Sequence, residues 1–400
     1  MKYPNLIIFS DGIPSRNGGG ISQTLYNLFD TYPSDKITLL TDVNDYVESE
    51  ETLLKGSVVK IRLNYFRPVR NRLAKFINPI FFILNCWVRE LFGFGNKLKI
   101  NDERTFFLIS TSHLERLHYA YYASKKLGIP LVTYYMDDWM SSISRNWLTD
   151  NSKSFIKKTL KDSKGLILIS HGLKKSLVEQ YGIIFEKVLI AHNPISIQYY
   201  EKNEINTISN RFRIVYTGSI WPMHLDAIIL VARAVSLLKL EGFSVDFIFY
   251  GKPIFWETYK NILSPLAVAY GGFVDYRQMS DVLQNASVCL LATSYLSEYE
   301  AYAKTSVQTK ITDYMAAGRP ILSVGPDYAI GHEFIDKYNC GYSITDLEPI
   351  SAAKKIGYLI NNKEILEEMG ASSLKAVKTN FTKEVVQKKM YDYLIALSRS

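Results

Sequence analysis

Short apolar runs recur along the chain, separated by longer segments whose apolar positions fall at helical spacing. Residues 5–9, 36–41, 105–110, 131–135, 165–170 and 187–191 are rich in β-branched and aromatic side chains and too short for stable helices, so they read as buried strands. Strands alternating with helical patterns predict a parallel sheet covered on both faces. A polar stretch without period, residues 201–207, interrupts the pattern. The alternation then restarts, with strands expected at 212–217, 244–250, 272–274, 288–292 and 321–324. The reading is an α/β chain of two doubly wound, Rossmann-like domains, residues 1–195 and 211–380. An amphipathic helix over 383–396, within a closing segment 381–400, is expected to pack back on the first domain.

Length agrees with two domains, because 400 residues exceed what a single hydrophobic core usually supports. A hydrophobic share of 47% with 22% charged residues excludes a disordered chain. Cys86, Cys289 and Cys340 share no spacing that suggests disulfides or a zinc site, which fits a reducing compartment. The run at 5–9 is too short for a leader's apolar region, so none is expected, and residues 79–88 are too short to span a bilayer.

Charge changes the picture in one place. The net charge is +8, yet between residues 52 and 89 there are eight basic side chains and no acid: Lys55, Lys60, Arg62, Arg67, Arg70, Arg72, Lys75 and Arg89. The apolar, aromatic stretch 79–88 overlaps the end of this segment. Basic residues beside such a stretch predict peripheral contact with an anionic membrane through residues 60–88, and not a nucleic-acid site, since no recognition module accompanies them.

Candidate chemistry sits where strands end. The first strand runs into a loop holding Gly18-Gly19-Gly20, and the second domain opens with Tyr216-Thr217-Gly218-Ser219. Tyr250-Gly251-Lys252-Pro253 repeats the arrangement with a lysine. Glycines admit a ligand close to the backbone, helix starts offer free N–H groups to an anion, and open α/β sheets bind ligands beyond the carboxyl ends of their strands. Neither the G-x-G-x-x-G spacing nor a P-loop is present. Glycine-bearing ends in both domains predict a cleft between them. Residues 304–325 close with a Gly318/Pro320 corner, ahead of which Lys310 and Asp313 fall three apart on one helical face. Lys310 suits a phosphate and Asp313 a ribose, with Ser306 and Thr309 as further donors; an ordinary intrahelical ion pair is the plainer alternative.

In this order the signals resemble the GT-B glycosyltransferases, in particular the retaining glycosyltransferase family four, over nearly the whole chain. The resemblance rests on Gly18-Gly19-Gly20, on residues 167–173 and 188–195, on Tyr216-Thr217-Gly218-Ser219 and on Tyr250-Gly251. Its most specific part is Lys310-Ile311-Thr312-Asp313-Tyr314-Met315-Ala316-Ala317-Gly318-Arg319-Pro320, similar to the family's K-x-x-E-Y-x-A-A-G-x-P segment. It implies transfer of a sugar from a nucleoside-diphosphate donor, UDP or GDP, to a hydroxyl acceptor, lipid-linked, in surface polysaccharide or glycoconjugate synthesis. It also implies a cytoplasmic enzyme associated with the inner face of the membrane, and neither metal nor cofactor. Gly18, Gly19, Gly218, Ser219, Lys252, Ser306, Lys310 and Asp313 are the expected donor contacts. Asp137 and His113 are expected on the acceptor side, and Asp137 and Lys310 carry the catalytic expectation.

The chain departs from the pattern at three points. Thr305 occupies the place of the family's first acid. Ser219-Ile220-Trp221-Pro222-Met223-His224 stands where a basic pair is usual, and Met136 where a histidine is usual. Two other readings follow from these departures: a sugar-nucleotide epimerase of the same fold, or a non-catalytic partner subunit of a glycosyltransferase.

Overall fold

The computed structural model describes residues 3–16, 18, 20–43, 45, 52–63, 66, 69, 73–92, 104–138, 150–201, 211–275 and 278–400. Gly19, Arg67, Arg70, Arg72, residues 202–207 of the polar stretch and the Lys75 side chain lie outside them. The chain forms two units, Met1–Pro194 with Val386–Ser400, and Ile195–Val385.

In the first unit the strands are β1 (Asn5–Ser10), β2 (Ile37–Asp42), β3 (Ser57–Ile61), β4 (Thr105–Ser110), β5 (Leu131–Tyr135), β6 (Gly165–Leu168) and β7 (Val188–Ile190). They pair in parallel in the order β3-β2-β1-β4-β5-β6-β7. The chain winds outward from β1 in both directions, and β4 beside it is buried along its whole length, as a central parallel strand must be. Phe9, Phe107, Tyr134 and Tyr135 anchor this core. Ser170, at the N-terminus of the His171–Tyr181 helix, accepts a hydrogen bond from Leu173 N at 3.0 Å, so the helix starts where a capping serine predicts.

The second unit repeats the plan with β8 (Phe212–Thr217), β9 (Val245–Tyr250), β10 (Val268–Gly272), β11 (Val288–Ala292), β12 (Ile321–Val324) and β13 (Gly341–Ile344), all parallel, in the order β10-β9-β8-β11-β12-β13. Each sheet thus reverses its winding direction beside its first strand, which fixes where ligands can enter.

Three strands differ from expectation. β10 lies at Val268–Gly272 and not at 272–274: the strand begins at Val268 and ends with the two glycines. β3 and β13 are sheet edges that the apolar pattern does not reveal: β3 exposes most of its side chains, and β13 is only Gly-Tyr-Ser-Ile.

The chain crosses between units twice. Near these crossings, Ile195 N donates to Phe381 O at 2.9 Å and Lys383 N donates to Ile195 O at 3.0 Å. Beyond them, the Lys383–Leu397 helix places Val386, Met390, Tyr391, Leu394 and Leu397 in the first unit's core. Among the described residues no helix is long and apolar enough to cross a membrane.

Candidate functional site

The second unit concentrates its chemistry where β8 and β9 end. Gly218 follows β8 with φ +94°, a backbone setting that glycine alone enters without strain. Its N–H donates to Tyr250 O at 2.9 Å, which draws the two strand ends together. Gly251 lies so close beneath that a Cβ there would stand 2.4 Å from Gly218 O. Gly218 is therefore required by its backbone conformation, and Gly251 by the close approach of the Gly218 carbonyl.

Under this turn sits Lys310, which caps the short Ile311–Ala316 helix. Its Nζ donates to Thr217 O at 2.8 Å and lies 3.8 Å from the centre of the Tyr216 ring. A Cβ on Gly218 would stand 3.7 Å from the same Nζ, so the ammonium lies directly against the turn. Burial disfavours its charge and pulls its pKa down to about 7, which makes Lys310 a cation that exchanges its proton near neutrality. The carbonyl and the aromatic face partly replace the water it has lost.

The surroundings are aromatic and hydrogen-bonded. Tyr314 Oη accepts from Thr217 N at 3.2 Å and lies 3.1 Å from Thr217 Oγ1. Tyr216 Oη donates to Ser219 O at 2.9 Å and lies 3.1 Å from His224 Nδ1. His224 is in the first turn of the Pro222–Leu240 helix; burial, and secondarily the Lys310 charge, push it down to about 3, so the ring is neutral. This neutral histidine and Trp221, whose ring lies 5.3 Å from that of Phe255 in the Pro253–Leu263 helix, occupy the segment where the resemblance has basic residues.

Asp313 lies one helical turn beyond Lys310 and is half-buried. Its Oδ1 accepts a hydrogen bond from Tyr200 Oη at 2.9 Å. Tyr200 is itself buried, and its carbonyl accepts from Gln284 Nε2 at 2.8 Å. The Lys310 ammonium turns to Thr217 and Tyr216, so the two residues expected on one helical face point their polar ends at different partners. Ser306 and Ser219 are half-buried, while Lys252 is exposed at the N-terminus of the Pro253–Leu263 helix. Thr305 donates back to Ala301 O at 2.7 Å from a buried position, which closes the place of the missing acid.

Gly18, His113 and Asp137 belong to the first unit. Gly18 is in the loop after β1, where a Cβ would strike Ser22 Oγ at 2.3 Å. His113 is exposed, 3.8 Å from Glu115. Asp137 follows β5, half-buried, and its charge adds to burial in raising the Tyr134 phenol. His118 is a core residue, packed edge-on against Phe82 and Phe155.

Sequence reasoning did not find the first unit's main polar cluster. At the ends of β1, β2 and β4, Asp11 accepts from Ser112 N at 2.7 Å, from Ser112 Oγ at 2.6 Å and from Thr111 Oγ1. Arg116 forks onto Asp45 at 2.6 and 3.1 Å, donates to Ser10 O at 3.0 Å and brings Nε within 3.5 Å of Asp11. Burial alone would raise the Asp45 carboxyl, but the Arg116 hydrogen bonds and charge outweigh it and hold it low. Tyr200 was missed as well, because nothing in the polar stretch around it marks a partner for Asp313. Among the described residues no three His, Cys, Asp or Glu side chains come together as a metal's ligands would.

Residues 211–362 match the family model described as glycosyl transferases group 1. The structure of Anabaena Alr3699/HepE in complex with UDP is similar over 98% of this chain and 100% of that one, at 13% identity and a TM-score of 0.69. TarM is similar over 98% of each chain at 11% identity and a TM-score of 0.65. Sucrose-phosphate synthase from Thermosynechococcus elongatus covers 99% of this chain and 100% of its own, at 12% identity and a TM-score of 0.64. No curated protein matches the chain. By fold the chain is a GT-B protein, and its residues 211–362 match the glycosyl transferases group 1 model.

Proposed function

We propose that the protein transfers a hexosyl group from a nucleoside-diphosphate donor, UDP or GDP, to a hydroxyl of a lipid-linked acceptor, with retention of configuration. The observation that carries this reading is the Gly218/Gly251 turn lying directly over the Lys310 ammonium, with Asp313 one helical turn away. Negative charge grows on the diphosphate as the sugar leaves. A fixed cation and backbone N–H groups at the start of the Pro222–Leu240 helix are suited to meet it in place of a metal. Lys310, with its pKa near 7, gains a full charge as the phosphates arrive. Asp313, oriented by Tyr200, is the ribose acceptor of this reading, and Asp137 is the acceptor-side acid. HepE is similar in fold and has been crystallised with UDP and with UDP-glucose, which supports a UDP donor here. The acid-free basic segment supports an acceptor held at a lipid surface on the cytoplasmic side, as in surface polysaccharide synthesis.

One observation favours a second reading. Thr305, bonded back into its own helix, leaves no acid where the resemblance expects one, as in a non-catalytic partner subunit. A melting experiment with UDP, GDP and UDP-glucose at millimolar concentration, followed by release of UDP from the sugar nucleotide, separates the two. The enzyme reading expects a raised Tm and turnover. A shift without turnover supports the partner subunit, and the absence of any shift removes the nucleotide reading.

A further inference from the structure

The Ala74–Phe92 helix of the first unit has two finished faces of different kinds. On the inner face Phe82 is buried against His118 and Phe155, and Cys86 Sγ lies 3.6 Å from His118 Nε2. Two buried asparagines complete that face. Asn78 Oδ1 accepts from Val69 N at 2.9 Å while its Nδ2 donates to Val69 O at 3.2 Å. Asn85 makes the same paired contact with Phe66, at 2.8 and 3.0 Å. The preceding chain is thus strapped to the helix at two points, and these buried polar groups are satisfied.

The outer face carries Leu73, Phe76, Ile80, Ile83 and Trp87, spaced four and three apart from Phe76 onward, so they form a single stripe. Their exposures are 54, 62, 56, 55 and 61%. Five large apolar side chains in one line, each more than half open to solvent, contribute little to the unit's own core. The stripe extends about 21 Å along the axis. Phe66, 46% exposed and stacked on Phe81, is held on the same helix by the Asn85 clamp.

The sequence that leads into and through the stripe selects its occupant. The eight basic residues and absence of acids between positions 52 and 89 complement an anionic surface. A second copy would bring the same acid-free segment 52–89 against its like, and the helix itself offers a single acid, Glu90, against Lys75 and Arg89. We propose that the outer face of the Ala74–Phe92 helix docks into an anionic lipid bilayer, with Phe76, Ile80, Ile83 and Trp87 lying in the headgroup and acyl boundary. The inference stands apart from the donor reading, and its test contains no nucleotide.

Full-length protein is sedimented with vesicles of phosphatidylglycerol and phosphatidylcholine, and with phosphatidylcholine alone, at low and high salt. The expected result is binding to the anionic vesicles that weakens with salt, and a loss of about tenfold or more in the Ile80→Gln/Ile83→Gln/Trp87→Gln variant. Brominated lipid should quench the wild-type protein more than the folded Trp87→Phe variant, which keeps binding. Three results would each overturn the proposal: no sedimentation with anionic vesicles at low salt, undiminished binding by the folded triple variant, or a dimer in solution that the triple variant dissolves.

Discussion

The strand ends of β1, β2 and β4 and those of β8 and β9 occupy equivalent places in their sheets, yet they are built in opposite ways. The first set is closed by charge. Arg116 satisfies Asp45 and approaches Asp11, while Asp11 also accepts from Thr111 and Ser112. The second set is built from glycine, aromatic rings and one cation whose charge burial weakens. A cluster whose charges are already paired gains little from an incoming anion, whereas a glycine turn over a lysine near its pKa gains a great deal. The contrast supports assigning the diphosphate to the second unit and leaving the first unit's cluster as a brace for its loops.

The strongest way to break this comparison is Arg116→Met. Removing one partner of a mostly buried ion network leaves Asp45 uncompensated, and the expected cost is roughly 3–5 kcal/mol of unfolding free energy. Urea denaturation should report it, while the Tm increment given by UDP or GDP should persist in the folded variant. Loss of that increment alone, with stability unchanged, would mean that the cluster binds the nucleotide itself.

Asp313→Ala tests the opposite side. Losing a charge-assisted hydrogen bond should weaken nucleotide binding by roughly 1.5–3 kcal/mol, read by calorimetry. Tyr200→Phe should weaken it less, since it removes only the orienting hydroxyl. Lys310→Met should depress kcat more than it raises the donor KM, because phosphate charge grows toward the transition state.

Gly251→Ala sharpens the steric half of the comparison. Its Cβ would meet Gly218 O, so the β8 and β9 ends must part, at about 1–3 kcal/mol of stability and with loss of the nucleotide-induced Tm shift. A wild-type shift in the folded variant would show that the turn is not the binding element.

The last test is a titration, whose effect is absent at neutral pH and grows only as the solution is acidified. His224 has a folded pKa of about 3 against 6.5 when free, so the unfolded chain takes up its proton first as pH falls. Its contribution is intact above pH 6.5 and is lost between 6.5 and 3, at most about 1.4 kcal/mol for each pH unit. His224→Phe should flatten that part of the stability profile. An unchanged profile would place the acid sensitivity elsewhere.

Much of the fold was legible because buried parallel strands leave a strong local mark. The runs that became β4, β5, β8, β11 and β12 are mostly apolar and agree with the observed limits. Edge strands leave a weaker one: the exposed side chains of β3 stand out only as part of the basic segment, and the sequence pattern puts β10 at 272–274 where the strand runs Val268–Gly272. The candidate site was legible as residue types and not as partners. Lys310 and Asp313 stand out locally, but Tyr216, His224 and Tyr200 reach them through the sheet's winding, and no spacing announces that. The Asp11, Asp45 and Arg116 cluster escaped for the same reason, since its members come from three separate strand ends.

The Lys383–Leu397 helix has a consequence for the order of events during synthesis. Gln387 Nε2 donates to Asn27 O and to Asp30, Tyr391 Oη donates to Leu28 O, and Leu397 fills the space beside Gly165. The first unit cannot complete its core until these residues have left the ribosome, and the entire second unit lies between them and Pro194. The unit translated first is therefore the one that finishes last. Until then the growing chain carries an unsealed apolar face on residues 1–194, which is the interval in which a chaperone has something to hold.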